Sequence, residues 1–123
     1  MRIFIFFLLL STVISSFAQQ TPYELSKGKE TATYNQAISY YQDLADKYPQ
    51  ARLLTYGLTD FGKPLHLLVL SKDQTFDPMA IRENDKRVLL INNGIHPGEP
   101  EGVDASMMLA RDLLSKNKLP KNV

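Results

Sequence analysis

RVLLINNGIHPGEPEG (residues 87–102) is the stretch of this 123-residue chain that decides its fold. It opens on Arg87 to Asn92, an apolar run without alternation, which is typical of a strand covered on both faces. The Gly and Pro residues that follow predict a loop. From Val103 to Ser115 apolar side chains recur at helical spacing. A buried strand, a loop and a helix in this order predict an α/β fold with a loop at the end of a sheet strand.

The loop contains two residues that together suggest a metal site. His96 and Glu99 are three residues apart, and Pro97 and Gly98 between them favour a tight bend that aims both side chains at one point. Catalytic zinc is usually held by His and acidic side chains, with one position left for water. Glu99 also lies close to the start of the predicted helix, whose dipole favours an ionised carboxylate. The pattern therefore predicts His96 and Glu99 as metal ligands.

The dyad alone leaves alternatives open. Glu101 is a rival ligand, since a carboxylate five residues after His96 could also reach a metal. A second alternative is a polar loop in which Glu99 or Glu101 caps the helix and His96 is merely exposed. Other chemistries find less support, because the chain has no Gly-x-Ser-x-Gly, no phosphate-binding Gly-rich loop and no dinucleotide fingerprint.

The preceding segment predicts a helix followed by a hairpin. Apolar side chains recur at helical spacing after Thr33, which forms a capping box with Gln36, and Pro49 ends the helix. Two strands, Arg52 to Leu58 and Leu65 to Leu70, are separated by a short loop of turn-forming residues. We therefore expect an antiparallel hairpin.

Two further segments have simpler interpretations. His66 falls inside the second strand of the hairpin, and a lone histidine there favours a structural role over metal ligation. Residues 71–85 are polar and irregular, and we expect a short helical turn within them.

The N-terminus has the layout of a secretory signal. Residues 1–18 contain Arg2, an apolar run and small residues at Ser16 and Ala18, before a possible cleavage site ahead of Gln19. The strongly apolar part is about 12 residues, whereas a membrane span needs roughly 20. We therefore expect export to the periplasm or the medium, with no stable membrane anchor. Residues 19–30 are polar and predict a linker.

Composition excludes several classes of partner and site. The chain has 14 Lys+Arg and 13 Asp+Glu, and removal of residues 1–18 would take away only Arg2 and leave a neutral chain. Neutrality argues against a nucleic-acid partner held by bulk charge. The absence of Cys excludes disulfides, thiolate metal sites and cysteine nucleophiles.

Several of these segments, in this order, resemble the carboxypeptidase A-like zinc metallocarboxypeptidases. Residues 92–102 (NNGIHPGEPEG) are similar to the first zinc-binding segment of that family, and residues 56–65 (YGLTDFGKPL) resemble the hairpin that precedes it. The tyrosine-containing helix that ends at residues 48–49 also fits. The resemblance implies that His96 and Glu99, rather than Glu101, are ligands of Zn²⁺.

The resemblance also implies an architecture. We expect the N-terminal part of a mixed-sheet, three-layer α/β domain of the zinc-carboxypeptidase type, incomplete in this chain. The chain then divides into a signal peptide at 1–18, a linker at 19–30 and a partial peptidase catalytic domain at 31–123. Family members complete the site with a second His, an Arg that binds the substrate carboxylate and a Glu that acts as general base, all further along the chain. We expect these groups beyond Val123 and no catalytic residue before it.

The activity implied for the full-length parent is that of a zinc-dependent metallocarboxypeptidase, which releases C-terminal residues from peptide substrates. Two alternatives stay open at this point. One is a related zinc amidohydrolase that acts on cell-wall peptides or acylated amino acids, and the other is a truncated or degenerate module without catalytic activity. The sequence gives no indication of the oligomeric state.

Overall fold

The computed structural model describes residues 19–123, so the predicted signal peptide at 1–18 lies outside the described residues. The helices and strands follow one another in the order α1 (Pro22–Leu25), α2 (Tyr34–Lys47), β1 (Ala51–Leu58), β2 (Pro64–Leu70), α3 (Pro78–Glu83) and α4 (Glu101–Ser115).

Helix α2 begins and ends where the sequence predicts. The Thr33 side chain accepts a hydrogen bond from the Gln36 backbone N–H, and the Gln36 side chain accepts one from the Thr33 N–H, which completes the capping box. At the other end, Tyr48 is the C-cap and its N–H donates to Leu44. Pro49 follows at once and cannot continue the helix.

Strands β1 and β2 form the predicted antiparallel hairpin. Ala51 pairs with Leu70 at the open end, and the register continues to Tyr56 opposite Leu65. The register then shifts at Gly57, which has a φ of +50°, a conformation that glycine adopts without strain. This bulge lies beside the turn that closes the hairpin.

A small core holds the hairpin against the helices. Helix α2 packs on β1 and on α4, so α2 makes the main contact between the helices and the sheet. The fully buried apolar side chains are Leu44 on α2 and Met107 on α4, and the methionine is therefore core filler, as its helical spacing suggests. Other buried apolar side chains around them are Ala37, Tyr40, Ala51, Ala110 and Leu114.

The predicted strand from Arg87 to Asn92 does not form in the described part of the chain, and this prediction is wrong for residues 19–123. The run has no ladder partner among residues 19–123, and Val88, Leu89 and Leu90 are 77%, 72% and 72% exposed. Strand conformation depends on hydrogen bonds to a neighbour, and the sheet of the described residues consists of β1 and β2 alone. The Arg87 N–H donates instead to the carbonyl of Asn122, at 2.9 Å.

Residues 19–30 are more structured than the polar composition of a linker indicates. They contain α1, with Pro22 at its first position and a capping box between Thr21 and Glu24. Thr21 is fully buried. The segment therefore packs with the rest of the described residues, and the division of the chain into signal, linker and domain stays a prediction.

The described residues thus form a small mixed α/β unit, as predicted, with a two-stranded sheet. The three-layer arrangement around a larger mixed sheet stays a prediction. Helix α4 begins two residues earlier than its hydrophobic period indicates and includes Glu101. None of the helices in residues 19–123 combines the length and apolar character that crossing a membrane requires.

Candidate metal centre

The loop between residue 92 and α4 turns sharply at His96–Gly98. Gly94 and Gly98 both have positive φ values, +64° and +84°, which side chains with a Cβ rarely adopt. Pro97 restricts the backbone between the two candidate ligands. The sequence therefore favours a bend that brings its two ends, His96 and Glu99, close together.

This bend brings His96 and Glu99 into direct contact. The His96 Nδ1 atom lies 3.2 Å from Glu99 Oε1 and 3.2 Å from Oε2. Two ligand atoms held about 2.0–2.2 Å from a tetrahedral zinc are about 3.3–3.6 Å apart. The observed separation is close to the lower end of that range, and an imidazole with a carboxylate is a donor set that zinc accepts. Both side chains are well exposed, at 68% and 55%, so an ion can reach them from solvent.

Glu101 is placed differently. It is the first residue of α4, and its side chain makes no hydrogen bond with His96 within residues 19–123. The carboxylate that meets the imidazole is that of Glu99, which immediately precedes the N-cap residue Pro100. The positive end of the α4 dipole therefore lies close to a potential ligand that carries negative charge.

The dyad stands alone in the described part of the chain. No group of three His, Cys, Asp or Glu side chains within residues 19–123 lies close enough together to hold a metal ion. A catalytic zinc site normally takes three protein ligands and a water. His96 and Glu99 therefore account for two of the expected positions, and metal ligation by them stays a prediction.

The other histidine has a structural environment. His66 lies on β2 opposite Thr55, and its Nδ1 is 3.0 Å from the Thr55 hydroxyl. The Tyr34 ring packs at a tilt nearby, with 6.3 Å between ring centroids. These contacts occupy His66 with a cross-strand hydrogen bond, in line with the structural role that its sequence position favours.

Contacts with α4 fix the start of the loop. The Asn93 side-chain amide donates to the Ser106 hydroxyl and lies against Gly102, where an added Cβ would be 2.6 Å from Asn93 Oδ1. One residue on, Gly94 faces Val103 less closely, with 3.2 Å from a Cβ position to the valine side chain. The loop that carries His96 is thus closely packed on the helix that follows it.

Helix α4 also carries two buried charged residues that sequence reasoning missed, Asp104 and Arg111. They are seven residues apart and so lie on one face, together with the core residue Met107. The sequence signal that could have revealed them is a pair of charged residues, seven apart, on an otherwise apolar helix face. Such a face is buried, and buried charges require partners.

Arg111 has two of its three hydrogen-bond partners at the N-terminal end of the described chain. Its guanidinium donates to Glu24 Oε2 at 2.6 Å, to the Gln19 carbonyl at 3.1 Å and to Asp112 at 2.9 Å. Burial alone would raise the pKa of Glu24, but hydrogen bonds from Arg111 and the Thr21 N–H, with the arginine charge, lower it overall. The hydrogen bond to Glu24 raises the pKa of Arg111, although burial opposes this effect.

One known protein family matches most of this chain. The family model for zinc carboxypeptidases matches residues 37–123, which include all but the first three residues of α2, the hairpin, the His96–Glu99 loop and α4. The chain belongs to the zinc carboxypeptidase family. This match confirms the resemblance seen in the sequence. Searches among curated proteins and among solved structures gave no match.

Proposed function

We propose that His96 and Glu99 are two protein ligands of a catalytic Zn²⁺ in a metallocarboxypeptidase that releases C-terminal residues from peptides. One observation carries the proposal: within a segment that matches the zinc carboxypeptidases, the His96 imidazole and both Glu99 oxygens are 3.2 Å apart. This separation supports a shared ion. The proposal assigns no ligand role to Glu101.

The chain's own residues would contribute binding and orientation. The bend at Pro97 and Gly98 holds the imidazole and the carboxylate side by side, and the N-terminus of α4 favours the charged form of Glu99. When bound, zinc supplies a polarised carbonyl and a water of lowered pKa. We propose that the second His, the substrate-binding Arg and the general base come from outside residues 19–123.

We further propose that the protein acts outside the cytoplasm, in the periplasm or the medium, on peptide substrates. The support is the signal-like pattern of residues 1–18, a charged start followed by an apolar run and small residues before Gln19. N-terminal sequencing of the exported protein should begin at Gln19. An N-terminus at Met1 in the exported protein would contradict this part of the proposal.

The activity is tested in the longest natural chain that contains these residues. His96→Ala and Glu99→Ala should each abolish stoichiometric zinc and the release of C-terminal amino acids from a peptide mixture, since each removes a ligand. Glu101→Ala is the matched control and should retain both. Full activity in the His96 and Glu99 variants would reject the assignment.

A related amidohydrolase activity is separated by substrate. The same chain would then cleave acylated amino acids or cell-wall peptides while leaving ordinary peptide C-termini intact. Two results together would favour this alternative: loss of zinc in His96→Ala and in Glu99→Ala, and cleavage by the original chain of acylated amino acids or cell-wall peptides but not of ordinary peptides. The metal site would then stand, and the carboxypeptidase activity would be rejected.

A further inference from the structure

An N-terminal strap, residues 19–32, lies against the helix that follows the metal loop. It precedes the segment matched by the family, which begins at residue 37. The strap is nevertheless part of the folded unit, because it supplies the partners of both buried charges on α4, Asp104 and Arg111.

The first anchor lies almost three turns into α4. Arg111, buried to 10% side-chain exposure, donates to the Glu24 carboxylate and to the Gln19 carbonyl. The Gln19 carbonyl also accepts a hydrogen bond from the Tyr40 hydroxyl at 2.8 Å. The Thr21 N–H donates to the same Glu24 oxygen at 2.8 Å. The start of the strap is therefore fixed by charge-assisted hydrogen bonds.

The second anchor lies in the first turn of α4. Asp104 is buried, with 4% of the residue exposed, and its carboxylate accepts two hydrogen bonds from the strap. The donors are the Thr31 hydroxyl, at 2.6 Å, and the Ala32 backbone N–H, at 3.2 Å. An acidic residue in a first turn often binds its own helix terminus, but this side chain is used to hold a distant segment of chain.

Asp104 connects the strap to the candidate ligand Glu99 through a few bonds. The Asp104 N–H donates to the carbonyl of Pro100, at 3.1 Å, and Pro100 is bonded to Glu99. Pro100 is the N-cap residue and provides no side-chain cap, so the first turn lacks the usual stabilisation. The strap and this turn also enclose a cleft of about 420 Å³, lined by Tyr23 and Pro100 among others.

We propose that the strap positions the metal loop, with Asp104 as a positioning residue that fixes the first turn of α4 and thereby Glu99 relative to His96. The inference rests on the proposed metal site. It assigns the metal centre a support from a segment N-terminal to the family match, joined to it by the Thr31–Asp104 hydrogen bond.

The experiment uses Co²⁺ as the probe in the full chain, followed by paramagnetic broadening of the His96 and Glu99 NMR signals. Thr31→Val keeps the shape of the side chain but removes the donor to Asp104. We expect it to raise the apparent Co²⁺ dissociation constant about fivefold, because one charge-assisted hydrogen bond is lost. Thr31→Ser restores the hydroxyl and should return the constant to within about twofold of the original.

A control separates positioning from general loss of stability. Leu114→Ala removes a buried side chain on the same helix, far from the strap anchor in the first turn. It should lower the thermal midpoint and leave the Co²⁺ constant unchanged. If Thr31→Val behaves like Leu114→Ala, the strap has only a structural role and the proposal is wrong.

Amide hydrogen exchange gives a second reading that requires no metal. Thr31→Val should speed exchange of the Val103 and Asp104 N–H groups, both bonded to the Pro100 carbonyl, relative to Leu114→Ala. If the unaltered chain shows no Co²⁺ effect at His96 and Glu99, the proposed metal site is wrong. The amide exchange rates then test by themselves whether the strap fixes the first turn of α4. Unchanged exchange at both amides would overturn the strap proposal.

Discussion

Asn93 and Gly102 are in such close contact that a single added carbon would not fit between them. A Cβ on Gly102 would lie 2.6 Å from Asn93 Oδ1 and 3.0 Å from Asn93 Cβ. The Asn93 amide cannot simply rotate away, because it donates to Ser106 one helical turn further on. The glycine in the first turn of α4 thus allows the metal loop to lie directly on the helix.

This contact predicts that Gly102→Ala changes the free energy of unfolding in opposite directions in two backgrounds. Gly102→Ala should destabilise the chain by about 1–2 kcal/mol, because overpacking exceeds the gain in helix propensity. In an Asn93→Gly background the space is open, and the same Gly102→Ala change should stabilise by about 0.5–1 kcal/mol. Urea unfolding of the four chains measures both effects. Equal effects in both backgrounds would show that the two residues do not interact.

The Glu24–Arg111 pair predicts a specific loss of stability in acid. Because the pKa of Glu24 is lowered from its ordinary 4.5, its contribution is complete above pH 4.5 and is lost as the pH falls through the lowered value. Glu24→Gln should cost about 1–3 kcal/mol at neutral pH, a range reduced because the carboxylate is 27% exposed.

Unfolding in urea between about pH 3 and 7 tests this prediction. The difference between the original chain and Glu24→Gln should shrink as the pH falls, whereas Asp46→Asn, at an exposed position on α2, should follow the original chain. Asp73 and Asp112 also have lowered pKa values, so the test is the difference between variants rather than the acid transition itself. A constant difference across this range would contradict the prediction.

Two tyrosines predict sensitivity to alkali. Burial raises the pKa of Tyr40 and of Tyr41 to about 12, from an ordinary 10.0. Their contribution to stability is therefore complete below pH 10 and is lost as the pH rises through about 12. Phenolate absorbance, compared with that of Tyr40→Phe and Tyr41→Phe, should show these two tyrosines ionising above the ordinary pKa of 10.0. Ionisation of Tyr40 and Tyr41 at their ordinary pKa in the folded chain would contradict this.

The unpaired apolar run predicts self-association. Val88 to Ile91 are exposed and, with β2, line an apolar groove of about 330 Å³. A short run of β-branched and aliphatic residues without charge favours pairing between chains. Val88→Lys should lower concentration-dependent association, as measured by analytical ultracentrifugation, without lowering the thermal midpoint. Phe61→Lys, at a single exposed residue in the hairpin turn, is the control and should have a smaller effect.

Features that depend on neighbours in sequence could be predicted, and those that depend on distant partners could not. The Thr33–Gln36 capping box and the hairpin turn at residues 59–63 are local, and both were confirmed. The run from Arg87 to Asn92 has the composition of a strand, but strand formation depends on an adjacent strand that residues 19–123 do not provide.

The strap illustrates both situations. The spacing of Thr21 and Glu24 is itself a capping-box signal, so α1 could have been predicted from the sequence. The pairing of Thr31 with Asp104 could not be predicted, because the two lie 73 residues apart and the identity of a polar side chain does not specify its hydrogen-bond partner. The His96–Glu99 contact was predictable because the bend between them is encoded by Pro97 and Gly98.

The most direct test of the metal site is a Zn²⁺ titration of the isotopically labelled chain, observed at the imidazole nitrogens and the side-chain carboxyl carbons. We predict that the His96 nitrogens and the Glu99 carboxyl carbon shift together along one curve with one zinc per chain. The response should vanish in His96→Ala and in Glu99→Gln and persist in Glu101→Gln. A response at Glu101 in place of Glu99, or none at His96, would contradict the assignment.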